Sequence, residues 1–362
     1  MKVLVDGTVF QNNYGLGIQR YFRGMLGRLA ARHQISIWNE YPALAEMPDQ
    51  CHQIGPDLHR PIKRWELVAR AKRAALRSKR SAMWPTFDLF CSTYYTRAPH
   101  PKLPELVVVH DMIYEQFVWS IEGAEAAVAT KRDAILNARI CLCVSQTTAE
   151  ELKTFHPQVA DRVRVAYPGC EHLSVAMQES AGERRLADEP YVLFVGARRY
   201  YKNFQTVLTA MELPEWPREV KLAVVGKPLL PGELLTLQRL RLTDRVVYFG
   251  ELSDAQLAHA YKHSLGFLFP SLQEGFGFPS LEAQCCGTPV LCSDIPVFRE
   301  ISADAAIYFN PWMAESIAGA VRKVLDADVR KQLCARGMEN VKRFSWERCA
   351  RESAAAFEEA IG

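Results

Sequence analysis

Two glutamates, Glu274 and Glu282, flank the segment Gly275-Phe276-Gly277-Phe278-Pro279. The apolar run "LGFLFPS" (265–271) leads into them as a strand, and "PSLEAQCC" reads as the start of a helix, so Gly275 and Gly277 fall in a strand-to-helix turn. Main-chain amides in such a turn can point at an anion, while a neighbouring carboxylate accepts hydrogen bonds from hydroxyls. Phosphates would repel that carboxylate, so its expected partner is a neutral polyol such as ribose or a hexose. The plainer alternative is that Glu282 only favours the positive end of the helix dipole.

Three other segments end strand patterns with polar or glycine-rich sequence. "VGARRYYKNF" (195–204) gathers Arg198, Arg199 and Lys202 around two tyrosines, cations suited to a phosphate or pyrophosphate. "VVVHDMIYEQF" (107–117) places His110 and Asp111 directly after a buried-looking strand, at the end where open α/β sheets bind ligands. "DGTVFQNNYGLGIQRY" (6–21) sets Gly15 and Gly17 before a helix, which lets backbone approach a ligand closely. Each has a plainer reading as a surface charge cluster, a structural histidine or a turn.

The elements that must position these residues alternate along the chain. Strand patterns at 2–7, 35–40, 89–93, 106–111, 140–145 and 162–167 are separated by helical stretches, including 16–32, 122–138 and 147–155. A second series follows at 191–197, 221–226, 245–250, 265–271, 289–294 and 305–310. Continuous apolar strands between helices predict parallel sheets covered on both faces. The expected fold is therefore α/β, with two Rossmann-like, doubly wound domains facing across a ligand-binding cleft. The expected boundaries are an amino-terminal domain at 1–170, a polar linker at 171–190, a second domain at 191–345 and a terminal helix at 346–362 that packs back across both.

Composition narrows the classes. Residues 1–362 include 49% apolar residues, and no run approaches the roughly 20 apolar residues of a membrane-spanning helix. "MKVLVDG" reads as a strand rather than a secretion signal, which gives a cytoplasmic expectation. The ten cysteines have no framework or CxxC spacing, so neither a disulfide scaffold nor a metal site is expected. The net charge of +3 is uneven, its cations concentrated in "RPIKRWELVARAKRAALRSKR" (60–80). This basic amphipathic stretch suits an anionic membrane surface or a solvated face, and no nucleic-acid motif accompanies it.

"EGFGFPSLE" resembles the E-x(7)-E signature of retaining glycosyltransferase family 4, and "CCGTPVLCSDIPVFREI" (285–301) resembles its continuation. The likeness runs along nearly the whole chain in the family's order, through "HD", "CVSQTTAEEL", "VAYPG", "VGARRYYKN", "FGELSDAQL" and the final "FSW". It implies the GT-B fold, a nucleotide-sugar co-substrate, no other cofactor and no metal. By the same likeness Glu282 would hold the nucleotide ribose, and Glu274 would contact the transferred sugar. The backbone of Gly275, Phe276, Gly277 and Phe278 would lie along the sugar and diphosphate. Arg198 and Lys202 would neutralise the departing diphosphate, with Gly15 and Gly17 approaching from the other domain. His110 would stand beside the sugar and Leu252, after Glu251, near the base.

The sequence departs from the family pattern at Arg199, Tyr200 and Tyr201, at "QCC" before Gly287, and at Asn12 and Asn13. "HD" and "YKN" resemble the mannosyl- and deoxyhexosyl-transferase subgroup, which implies a GDP-sugar, GDP-mannose first. The acceptor is expected to be a glycan or lipid-linked glycan of a surface polysaccharide, with peripheral membrane contact through 60–80. A sugar-nucleotide epimerase of the same fold and a non-catalytic sugar-binding scaffold are the alternatives. An NAD-dependent dehydrogenase fails on spacing, because neither first strand is followed by GxGxxG and an acid about 20 residues later.

Overall fold

A computed structural model of the chain describes residues 1–11, 16–39, 43, 46–55, 84–171 and 187–362. Gly15, the basic stretch 60–80 and most of the expected linker lie outside the described residues. The chain forms two units, residues 1–169 with 344–362 and residues 170–343.

In the first unit, apolar runs form the parallel strands β1 (Lys2–Asp6), β2 (Gln34–Trp38), β3 (His52–Ile54), β4 (Leu89–Ser92), β5 (Glu105–Val109), β6 (Ile140–Cys143) and β7 (Val163–Val165). Their order is β3-β2-β1-β4-β5-β6-β7. Every residue of β4 and β6 is buried, as strands covered on both faces require. Val107, Val109, Ile135 and Leu152 pack one cluster, while Leu4, Phe90 and the edge-to-face pair Trp38 and Trp84 pack another. Each such buried side chain contributes about 1.5–3 kcal/mol against exposure.

The second unit repeats the plan with β8 (Tyr191–Val195), β9 (Lys221–Val225), β10 (Val246–Gly250), β11 (Gly266–Phe269), β12 (Val290–Ser293) and β13 (Ala306–Phe309), all parallel. The order is β10-β9-β8-β11-β12-β13. Val192, Phe194, Val207, Leu222, Leu268 and Val321 belong to its core. In both sheets the chain winds outward on one side and then crosses to the other. The crossing leaves a crevice at the carboxyl ends of β1 and β4 in one sheet, and of β8 and β11 in the other. A crossing of this kind is where such folds admit ligands.

The terminal helix, Trp346–Ile361, belongs to the first unit. It packs on the helix Leu16–Ala30, where a Cβ on Gly24 would come within 2.3 Å of the Trp346 ring. Glycine is what lets the indole seat. The Ser345 hydroxyl accepts from the Arg348 amide and caps this helix, and Arg139 donates to the carbonyls of Ala360 and Ile361 at its far end.

Candidate active site

At the β8/β11 crevice, two loops are tied by the Leu272 amide, which donates to the Tyr201 carbonyl at 2.7 Å. Lys202 comes from the loop after β8 and Glu274 from the loop after β11. The Lys202 Nζ donates to Glu274 Oε1 at 2.5 Å, and the buried Ser271 hydroxyl donates to the same oxygen at 2.7 Å. The Lys202 ammonium also lies 5.4 Å from the Phe269 ring and 5.5 Å from that of Tyr201. Neither charged side chain is sealed off: Lys202 is 17% exposed and Glu274 11%. Asn203 completes this loop, its amide donating to the Pro311 carbonyl.

Arg198, four residues before Lys202, is committed elsewhere. Its Nε and Nη2 form a two-pronged pair with Glu233, at 2.8 and 3.0 Å, and Nη2 also donates to the Pro228 carbonyl. Glu233 in turn accepts from the Leu230 amide at 2.6 Å, at the start of the helix Pro231–Arg239. One guanidinium nitrogen, Nη1, is buried with no hydrogen-bond partner among the described residues. A buried donor left so costs about 1–3 kcal/mol, and an anionic oxygen would recover it.

Gly277 enters the following helix, Phe278–Cys285, at a φ of 101°, a left-handed conformation that costs other residues strain. A Cβ there would also lie 3.0 Å from the Phe298 ring. Pro279 starts the helix, Gly275 and Phe276 are buried before it, and Phe278 is half-buried. Glu282, on the second turn, is only 2% exposed, and the buried Tyr261 hydroxyl donates to its Oε2 at 3.3 Å. Leu252 is half-buried after β10, two strands away from β8.

The "QCC" departure has structural work. Gln284 accepts from the Asn340 amide at 2.7 Å, and the Cys285 and Cys170 sulfurs approach to 3.3 Å. No group of three or more His, Cys, Asp or Glu residues among the described residues could hold a metal ion.

Two expected site residues lie in the first unit. Gly17 is half-buried in the first turn of the helix Leu16–Ala30. His110 follows β5, with its ring edge-to-face against Tyr21 and Phe22 at 5.5 and 5.6 Å. Burial pushes its pKa down to about 4, against the pull of Asp111, so the imidazole is neutral near pH 7. Its Nε2 is buried without a partner among the described residues. Beside it, Lys131 is buried, bonded to Glu115 at 3.0 Å and to the Asp111 carbonyl at 2.5 Å.

Sequence reasoning missed Glu233, Ser271, Tyr261 and Lys131. Glu233 carried a usable signal, since an acid three residues into "LPGE" is a helix-start pattern. Tyr261 lies 21 positions from Glu282 and gave none.

The paired parallel sheets are those of the GT-B fold, and solved structures of that kind match nearly the whole chain. They include sucrose-phosphate synthase from Thermosynechococcus elongatus, with a TM-score of 0.74 at 20% identity over 99% of this chain and 98% of that one. Anabaena Alr3699/HepE in complex with UDP and glucose gives 0.73 at 17% identity, over 99% of each chain. WaaG, a glycosyltransferase involved in lipopolysaccharide biosynthesis, gives 0.74 at 16%, over 97% of this chain and 98% of that one. Residues 177–343 match the family model of glycosyl transferases group 1.

Among curated relatives, O-antigen chain mannosyltransferase B of Escherichia coli is 27% identical over 237 residues, 62% of each chain. O-antigen chain mannosyltransferase RfbU of Salmonella typhimurium is 29% identical over 188 residues, 51% of this chain and 50% of that one. The matches thus span about half to three fifths of these relatives' lengths.

Proposed function

We propose that the chain is a retaining glycosyltransferase that moves mannose, or a related hexose or deoxyhexose, from a nucleoside-diphosphate sugar to a glycan or lipid-linked glycan. The observation that carries this is the Lys202–Glu274 pair at the β8/β11 crevice, on the same loop as the partnerless Nη1 of Arg198. A cation and a carboxylate side by side suit a ligand with an anionic diphosphate next to neutral hydroxyls. In this reading Arg198 and Lys202 stabilise charge developing on the leaving diphosphate, and preorganised cations in a partly dry site lower that barrier. Glu274 accepts from hydroxyls of the transferred sugar, and Glu282, steadied by Tyr261, accepts from those of the ribose.

The backbone from Gly275 to Phe278 lies along the donor, with Leu252 toward the base. The amino-terminal unit takes the acceptor, with Gly17 at the donor phosphates and His110 beside the sugar. Neutral His110 can exchange a hydrogen bond with a hydroxyl but supplies no charge. GDP-mannose is the favoured donor because the curated relatives above are O-antigen mannosyltransferases. The Anabaena Alr3699/HepE complex with UDP and glucose makes uridine donors the comparison to test against. The setting proposed is surface polysaccharide synthesis at the cytoplasmic face of a membrane, with residues 60–80 as the contact. Among the described residues no helix is long and apolar enough to cross a membrane.

Thermal shift of the full chain with GDP-mannose, UDP-glucose and their nucleoside diphosphates tests the reading, because a ligand bound only by the folded state raises apparent stability. A selective shift with GDP-mannose that persists in chelator and is lost in Lys202→Ala is expected. A larger shift with UDP-glucose would replace the GDP assignment, and no shift with any of them would turn the reading toward a scaffold. Product analysis with GDP-mannose and lipid-linked acceptor distinguishes transfer from epimerisation.

A further inference from the structure

Both cations of the loop after β8 already hold carboxylates, and they hold them differently. Arg198 is gripped by Glu233 through two nitrogens on a side chain only 4% exposed, so that pair is closed to exchange. Lys202 makes one short bond to Glu274 Oε1, an oxygen that also accepts from Ser271. A diphosphate arriving at Lys202 competes directly with Glu274 for the ammonium.

We propose that Glu274 acts as an internal placeholder anion, and that donor binding exchanges partners. The diphosphate takes Lys202, and Glu274, still anchored by the fully buried Ser271, turns its released capacity to the hydroxyls of the sugar. The exchange is a specificity device. A sugar-loaded donor replaces both halves of the ion pair, the ammonium's anion and the carboxylate's donor. A bare nucleoside diphosphate replaces only the first and leaves Glu274 short of a donor. The crevice therefore prefers donor over spent product, and Ser271 is the positioning residue that keeps Glu274 in place for the second half. This rests on the donor-site reading above.

Calorimetric titration of the full chain with inorganic pyrophosphate, GDP and GDP-mannose tests it, with thermal melts confirming that each variant is folded. Glu274→Gln should bind pyrophosphate and GDP about 3- to 10-fold more tightly than the parent, while GDP-mannose gains nothing. Adding Lys202→Ala should cancel that gain. Ser271→Ala should lower the preference for GDP-mannose over GDP without tightening pyrophosphate. Unchanged or weaker pyrophosphate binding by Glu274→Gln, where Lys202→Ala alone does lose pyrophosphate affinity, overturns the exchange and leaves the donor site standing. Pyrophosphate binding that is absent, or indifferent to Lys202→Ala, overturns the donor site and the exchange together.

Discussion

The crevices of the two sheets have the same topological origin and opposite chemistry. Between β1 and β4, the carboxylate of Asp6 is 6% exposed and fully engaged by its own chain. It accepts from the Thr93 amide, from the Thr93 hydroxyl at 2.9 Å and from the Thr8 amide at 2.9 Å. Between β8 and β11, Glu274 accepts from a serine and from one lysine that remains partly in reach of solvent. The first carboxylate staples two loops together. The second is held by a partner that a diphosphate could take. A carboxylate at a crevice of the same kind is thus held by backbone amides and a threonine in one unit and by a serine and a partly exposed lysine in the other. What differs is whether the polar groups are satisfied by backbone or by a displaceable side chain.

Mutating the two carboxylates should expose this contrast most strongly. Asp6→Ala strands three donors and should cost about 3–4 kcal/mol in urea unfolding, whereas Glu274→Ala, which strands the Ser271 hydroxyl and a lysine that solvent still reaches, should cost about 1–2 kcal/mol and act mainly on ligand affinity. Equal losses would erase the distinction. Acid sharpens it next, through His110. Its folded pKa lies below the ordinary value of 6.5, so the unfolded chain binds the proton more readily between the two values. Stability of the amino-terminal unit should therefore be intact above about pH 6.5 and fall as pH drops toward 4, by about 2–3 kcal/mol. His110→Phe should flatten that limb of a pH-dependent denaturation series, and an unchanged slope would assign it to other groups.

Gly24→Ala, which drives a methyl toward the Trp346 ring, should destabilise the first unit by about 1–3 kcal/mol without touching nucleotide affinity. Tryptophan fluorescence during unfolding reads it out. The smallest effect belongs to the second unit. Ser253 caps the helix Asp254–Lys262 in a reciprocal pair with Gln256, and Ser253→Ala should cost about 1 kcal/mol. Because that helix carries Tyr261, a fall in nucleotide affinity beyond this stability loss would show that helix placement feeds into Glu282.

The strands were largely legible because parallel strands buried on both faces are continuous apolar runs, and "ELVVV" or "YVLFV" admits few other readings. β3 was not, since His52 and Gln53 are exposed on a short edge strand and carry no apolar pattern. The glycine turn at Gly277 and the helix behind it were also readable, from proline and glycine chemistry. The commitments of side chains were not. Arg198 looked like a free cation until Glu233, 35 positions away, was seen to hold it. Lys131 sits in "ATKRDAILN", where its neighbours look like an ordinary solvated face, yet folding points it at Glu115 and the Asp111 carbonyl. Local pattern reports which residues line an element, while pairing depends on which elements the fold brings together.

The helix Trp346–Ile361 makes the first unit discontinuous, since the chain leaves it at residue 169 and returns at 344. On a ribosome the consequence is one of timing. Residues 170–343 emerge as an uninterrupted unit and can fold while the amino-terminal sheet, made earlier, still waits for the helix that covers Gly24 and sits beside Tyr21. Of the two units, the one begun earlier is completed later, and loss of residues 344–362 would leave the second unit whole and the first without the helix that covers Gly24.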